Sequence, residues 1–242
     1  MKPTKPKPSG KLVLPKVGIM SLNTKSEEVL RLVLDNAPQN TIKRIDYVSS
    51  EDDLRNSLYG VTLLFVIAEY LEKRIFDIFE LAESIGIFCV LSLPDVAKDG
   101  IYYKKIAVLL SRENDSSADE AKNIISICKF YSAEYNKDCN NITYDTEDMR
   151  IMMPKAYTSL LFRRSLDGVS KFIKNTNILH NRGVFLNCVY NGNMNLVAVQ
   201  QAMGSIYNAV HEDADVFYGV YHDLNMPTDS HIVEVFTVEA ML

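Results

Sequence analysis

Gly183-Val-Phe-Leu-Asn-Cys-Val-Tyr190 and the chain that follows it as far as Val238 decide the fold. The first run alternates, with Val184, Leu186 and Cys188 on one side and Phe185, Asn187 and Val189 on the other. A strand with one better-buried face is expected to alternate in this way. Asn191-Gly-Asn-Met-Asn195 is a turn, and a helical segment from Leu196 to Val210 follows. Within it Leu196, Val199, Met203, Ile206 and Val210 recur at steps of three and four, which stacks them along one side of a helix. Two more β-branched and aromatic runs, Val216 to His222 and His231 to Val238, are joined by Asp223-Leu-Asn-Met-Pro-Thr-Asp229, a stretch of turn formers. The order is strand, helix, strand, strand.

Upstream, short apolar runs alternate with helical patterns. Val17 to Met20 reads as a strand, and Thr24-Lys-Ser-Glu27 as a capping box opening a helix that ends near Pro38. Ile45 to Val48 is a second short strand, and Ser50-Glu-Asp-Asp53 caps a brief helix through Leu54 and Leu58. Val61-Thr-Leu-Leu-Phe-Val-Ile67 is nearly continuous in apolar residues, as a central parallel strand buried on both faces must be. A helix through Leu71, Ile75, Ile78, Phe79 and Ala82 closes at Gly86, and Ile87 to Leu91 and Ile106 to Leu110 are further strands. Five strands with intervening helices predict an α/β, doubly wound parallel sheet with right-handed crossovers. Ser117-Ala-Asp-Glu120 opens a longer helix with Ile124, Ile127, Cys128, Tyr131 and Tyr135 on one side, a connecting rod between two halves. Beyond it, Met149 to Pro154 continues as helix, Ala156 to Phe162 is a strand and Leu166 to Lys174 a helix. The second half is then α+β, a mixed sheet of about four strands backed by helices.

The expected divisions are a Lys/Pro tail at 1–16, disordered for want of anything to bury; a Rossmann-like domain at 17–116; a connecting helix at 117–141; and a C-terminal domain at 142–242. A net charge of -5 argues against nucleic acid as a main partner, since phosphate binding calls for a basic face. No apolar run reaches the roughly 18 residues of a transmembrane segment, and the N-terminus carries no secretory signal core. Cys89, Cys128, Cys139 and Cys188 are scattered without a C-x-x-C pair, as reduced buried thiols of a cytoplasmic protein would be. His180, His211, His222 and His231 lack metal-like spacing and read as structural or surface residues. Tyr102-Tyr-Lys-Lys105, Lys171 and Lys174 read as solvated faces rather than nucleic-acid sites.

The string from Gly183 through "ADVFYGV" to "HIVEVFTV" resembles the C-terminal domain of FtsZ, the bacterial tubulin homologue, over about the last hundred residues. The order of elements in the first half is similar to that family's nucleotide-binding domain, and "LRNSLYGVTLLFVIA" looks like the strand leading into its signature loop. The resemblance implies an FtsZ/tubulin-like fold and, for an intact member, GTP held by two glycine-rich turns, one of them GGGTGTG. Phosphates are gripped by converging backbone N–H groups, and glycine allows those turns without a Cβ in the way. Here Ser21-Leu-Asn-Thr-Lys25 follows the first strand and Ala68-Glu-Tyr-Leu-Glu-Lys-Arg74 the central one, both without glycine and the second carrying Glu69 and Glu72. Carboxylates there repel a triphosphate. The family-type GTP site is therefore expected to be lost, leaving no cofactor and no metal.

One family element is better kept. Thr143-Tyr-Asp-Thr-Glu-Asp-Met-Arg150 is similar to the family loop N-x-D-F-A-D-V-R, which enters the nucleotide pocket of the next subunit. The match places Asp145 and Asp148 on the two acidic positions, with Thr143, Thr146 and Glu147 departing from the pattern. Such carboxylates orient and polarise an attacking water. The same D-x-x-D is also a helix start, with Asp145 as N-cap and Asp148 near the positive end of the dipole, and the two roles are compatible. The expectation is a non-catalytic FtsZ/tubulin-like protein that has lost GTP binding. It acts through contacts with itself or with an FtsZ-type protein, in filament assembly, capping or regulation of cell division. The alternative is an active, divergent GTPase forming nucleotide-dependent filaments, and a third possibility is a small-molecule enzyme with its site at the domain junction.

Overall fold

The computed structural model describes residues 17–37, 42–94, 107–111, 115–133, 156–173, 183–210, 212–224 and 226–240. In chain order these form β1 (Val17–Ser21), α1 (Thr24–Asn36), β2 (Ile42–Arg44), α2 (Glu51–Ser57), β3 (Leu63–Ile67), α3 (Lys73–Ser84), β4 (Phe88–Pro94) and β5 (Ala107–Ser111). Then come α4 (Ser117–Ala133), β6 (Ala156–Ser165), α5 (Leu166–Ile173), β7 (Gly183–Asn191), α6 (Leu196–Tyr207), β8 (Asp215–His222) and β9 (Ser230–Ala240). The tail, Cys139, His180, His211, the Tyr102–Lys105 patch, the 149–154 segment and the Asp145/Asp148 loop lie outside the described residues.

The first five strands pair in parallel in the order β2-β1-β3-β4-β5. Every residue of β3 is buried, as its unbroken apolar run requires. Odd-numbered residues of β1, β3 and β5 (Val17, Ile19, Leu63, Phe65, Ile67, Ala107, Leu109) face α1 and α4. Met20, Leu64, Val66, Cys89 and Leu91 face the side of α2 and α3. Helices on both faces make the sheet doubly wound, and each fully buried aliphatic or aromatic side chain contributes about 1.5–3 kcal/mol.

The remaining strands form the mixed part, in the order β6-β9-β7-β8, with β9 antiparallel to both β6 and β7 and β8 parallel to β7. The two parts are not separate sheets. Backbone pairing of Ala107–Leu110 with Ala156–Ser159 joins β5 to β6 in parallel, so the described strands form one nine-stranded sheet. α4 lies across this seam and is buried almost all round from Glu120 to Cys128. Its Ile124, Ile125 and Ile127 share one core with Val17 and Phe65 of the first half and with Phe185 and Phe236 of the second. The mixed part has its own core on the other face, where α5 and α6 cover Val184, Leu186, Cys188, Val233 and Val235.

Three local expectations are corrected. The capping box of α1 sits one residue earlier than Thr24/Glu27: Asn23 is the N-cap and Ser26 its reciprocal partner. The second strand is Ile42–Arg44, because Ile45, though buried and bonded through its N–H to the Ile19 carbonyl, already leaves the sheet. β7 has two buried faces, since α4 covers the Phe185 side and α5 and α6 the Val184 side. Asn187 is wholly buried there and donates to Ser126 Oγ at 3.3 Å.

Candidate functional site

In a doubly wound sheet ligands bind beyond the carboxyl ends of the strands. Here that region is bounded by the turn from β1 into α1, the loop from β3 into α3, the end of β4 and the first turn of α4. A phosphate would have to be gripped by the N–H groups of the β1–α1 turn, where the helix presents its positive pole. The N–H groups of Leu22, Asn23, Lys25 and Ser26 are already engaged. Ser26 Oγ accepts from Leu22 N–H at 3.1 Å and Asn23 N–H at 3.0 Å, while its own hydroxyl donates to the Asn23 carbonyl at 2.9 Å. Ser26 N–H in turn donates to Asn23 Oδ1 at 3.1 Å.

Lys25 N–H is taken by a group from elsewhere in the chain. Glu69, in the β3–α3 loop, places its carboxylate Oε1 2.9 Å from that nitrogen. A side-chain anion thus sits at the N-terminus of α1. Next to it, Arg74 donates to the Leu22 carbonyl at 2.7 Å, pairs with Glu72 at 2.7 Å and lies over the Tyr47 ring. The β1–α1 turn and the β3–α3 loop are thus tied to each other.

Behind this tie lies a buried acid. Glu120 of α4 is 7 % exposed and accepts a 2.9 Å hydrogen bond from Ser92 at the end of β4. Burial pushes its carboxyl above the usual range; the Ser92 hydroxyl and the Lys25 charge pull it back, and Asp115 and Glu69 add to the rise. At the start of α4, Ser116 and Asp119 cap the helix mutually, and the Ser116 hydroxyl and N–H hold Asp119 below its ordinary value. Ser117 Oγ donates to Glu28 at 3.2 Å, closing α4 against α1. On the opposite flank Glu27 accepts from Ser21 and from Arg44, which hold its carboxyl low in that order. Glu27, Glu28, Glu69, Glu72, Asp115, Asp119 and Glu120 lie at this end beside Lys25, Arg44 and Arg74, so carboxylates outnumber cations where a triphosphate would sit.

Of the residues singled out in the sequence, Glu69 and Glu72 both lie at this end. His222 and His231 belong to the mixed part, strands away from Glu69: they flank Tyr190 in one row across β8, β7 and β9, with ring centroids 5.0 and 6.3 Å away. Among the described residues no group of three His, Cys, Asp or Glu side chains could hold a metal. Cys89, Cys128 and Cys188 are buried thiols, and burial pushes Cys188 up to about 11. The junction of the two halves holds a cleft of about 440 Å³ between α1, α4 and the mixed sheet, with Arg163 paired to Glu234 in its wall. Sequence reasoning misses the roles of Ser26, Ser92 and Glu120. Glu120 does leave a signal, a carboxylate four residues before Ile124 on the buried stripe of α4.

Sequence comparison finds no matching protein-family model and no matching curated protein. Structures do match. An FtsZ point mutant from M. jannaschii superposes with a TM-score of 0.68 at 10% identity, over 93% of this chain and 91% of that one. CetZ2 from Haloferax volcanii, solved as a GTPgS-bound protofilament, gives 0.55 at 9% identity over 93% of each chain. TubZ from Bacillus thuringiensis serovar israelensis, solved as GDP-form protofilaments, gives 0.52 at 8% identity over 94% of this chain and 84% of that one. The chain has the FtsZ/tubulin fold, in agreement with the α/β and α+β halves expected from sequence. No helix among the described residues is long and apolar enough to cross a membrane.

Proposed function

We propose that this protein is a filament-forming or filament-binding member of the FtsZ/tubulin fold that works without GTP. The observation that carries this reading is the Glu69 carboxylate on the Lys25 N–H, beside a turn in which the Leu22, Asn23 and Ser26 amides are bonded to the Ser26 and Asn23 side chains. Entry of a phosphate would break the Glu69–Lys25 hydrogen bond, a loss of about 0.5–1 kcal/mol at an exposed helix N-terminus. It would also bring like charges together. At about 4 Å each such pair costs about 1 kcal/mol in a water-like medium and about 4 kcal/mol at an effective dielectric near 20. The fold remains while the phosphate cradle is filled by the protein's own groups, which leaves protein contacts as the function.

The partner is a further copy of the chain or an FtsZ-type protein, and the process is filament assembly, capping or regulation, with cell division as the setting. Asp145 and Asp148 serve as a contact loop or as helix caps rather than as hydrolytic groups. The test is assembly followed by light scattering and negative-stain microscopy, for the chain alone and with an FtsZ, in GTP, in GDP and without nucleotide. The same particles are expected in all three conditions. Filaments that appear only with GTP, with phosphate release lost in Asp145→Ala, would establish the divergent GTPase instead.

A further inference from the structure

Among the described residues the sheet has two edges, and they are guarded very differently. β2 is three residues long and carries Lys43 and Arg44, two charges that discourage another strand from pairing there. β8 is eight residues long and runs Asp-Val-Phe-Tyr-Gly-Val-Tyr-His, with one carboxylate at its start. Among the described residues it pairs on one side only, with β7. Tyr218, at its middle, is 53% exposed. The phase of its backbone follows from Asp223, whose N–H bonds the Tyr190 carbonyl of β7 at 2.8 Å. A residue in a strand turns its N–H and C=O to the same side, so the odd-numbered residues bond β7. Val216, Tyr218, Val220 and His222 then turn theirs outward.

We infer that β8 is a self-association edge, pairing antiparallel with β8 of a second copy about a two-fold axis that passes beside Tyr218. Charge excludes one of the two neighbouring registers. Directly opposed residues share a face of the sheet, and a two-fold normal to the sheet preserves faces, so only shifts of two residues are open. With Tyr218 on the axis, Val216 opposes Val220, Phe217 lies across from Gly219, and Asp215 meets Tyr221. A shift of two residues in one direction sets Asp215 against Asp223 of the other copy, a like-charge opposition that destabilises a pair. A shift in the other direction sets Asp215 against Gly219 and Phe217 against itself. The outward residues Val216, Tyr218 and Val220 are also the ones that exchange both backbone hydrogen bonds in the chosen register. This contact joins two nine-stranded sheets side by side, and it does not depend on whether nucleotide binds.

The test is sedimentation equilibrium of the full chain, of Tyr218→Lys and of Val216→Pro, with circular dichroism to check the fold. Tyr218→Lys places two like charges opposite each other at the axis, and Val216→Pro removes an outward N–H without touching the β7 ladder. The unaltered chain is expected to populate a species of twice its 27.4 kDa mass. Both variants should raise the dissociation constant of that species at least tenfold. A short bis-maleimide should link copies of Tyr218→Cys and not of Val197→Cys, an exposed control on α6. A chain that stays single up to its solubility limit overturns the inference. So does an assembly whose mass is unchanged in Tyr218→Lys together with no selective cross-link at 218, even if Val216→Pro fails to fold.

Discussion

Glu69 and Lys25 are 44 positions apart in sequence, and their contact is the smallest unit on which the functional reading turns. Glu69→Ala should lower stability by about 0.5–1 kcal/mol, the usual size of a carboxylate at a helix N-terminus, and speed exchange of the Lys25 amide. Unchanged exchange in that variant would mean that the bond does not form in solution. Glu120 gives a prediction in pH. Its folded carboxyl is raised above its unfolded value, so the folded state holds the proton more tightly. Its contribution is favourable below the unfolded range, near pH 4.5, and is lost as pH rises through the folded value. Glu120→Gln should therefore melt higher than the parent at pH 7 and level with it near pH 4; a lower melting point at pH 7 would show that the charged form is stabilised. The glycine-free loops and the two carboxylates were legible in sequence. Which backbone N–H Glu69 meets was not, because a contact between two loops is fixed by how β1 and β3 align and not by either loop alone.

At the scale of elements, two glycines separate backbone strain from crowding. Gly86, which ends α3, has φ +83° and open space where a Cβ would go. Gly192, in the turn after β7, has φ +92°, and a Cβ there would lie 2.5 Å from Asp229 Oδ1 and 3.0 Å from the Asp229 nitrogen. Gly86→Ala should cost about 1–2 kcal/mol from conformation alone. Gly192→Ala should cost more, because the Asp229 backbone of the β8–β9 turn must also move. Equal losses in chemical denaturation would contradict the close approach of those two turns. Element type and order were readable along most of the described chain, since β3 declares burial by its continuous apolar run and α1 by its caps. The corrections fall where neighbouring signals compete. Asn23 outranks Thr24 as a cap because Ser26 reciprocates, and Ile42–Arg44 pairs with β1 although Ile45–Val48 is the more apolar run.

For the molecule as a whole, the β5–β6 ladder and the core shared by Val17, Phe65, Phe185 and Phe236 through α4 predict one cooperative unit. Hydrogen exchange in β3 and in β7 should report the same opening free energy, and a β7 that opens well below β3 would show two independent halves. The sequence points to two architectures in tandem. That their strands join edge to edge was not legible, because α4 and the chain on either side of it separate β5 from β6, and no local pattern encodes such a pairing. The proposed loss of the phosphate cradle, by contrast, rests on both scales at once, on side chains and on the sheet that holds them. Equilibrium dialysis with labelled GTP and GDP tests it most directly: no saturable binding of either nucleotide is predicted, and micromolar binding that is weakened by changes in the 21–25 turn would contradict the account.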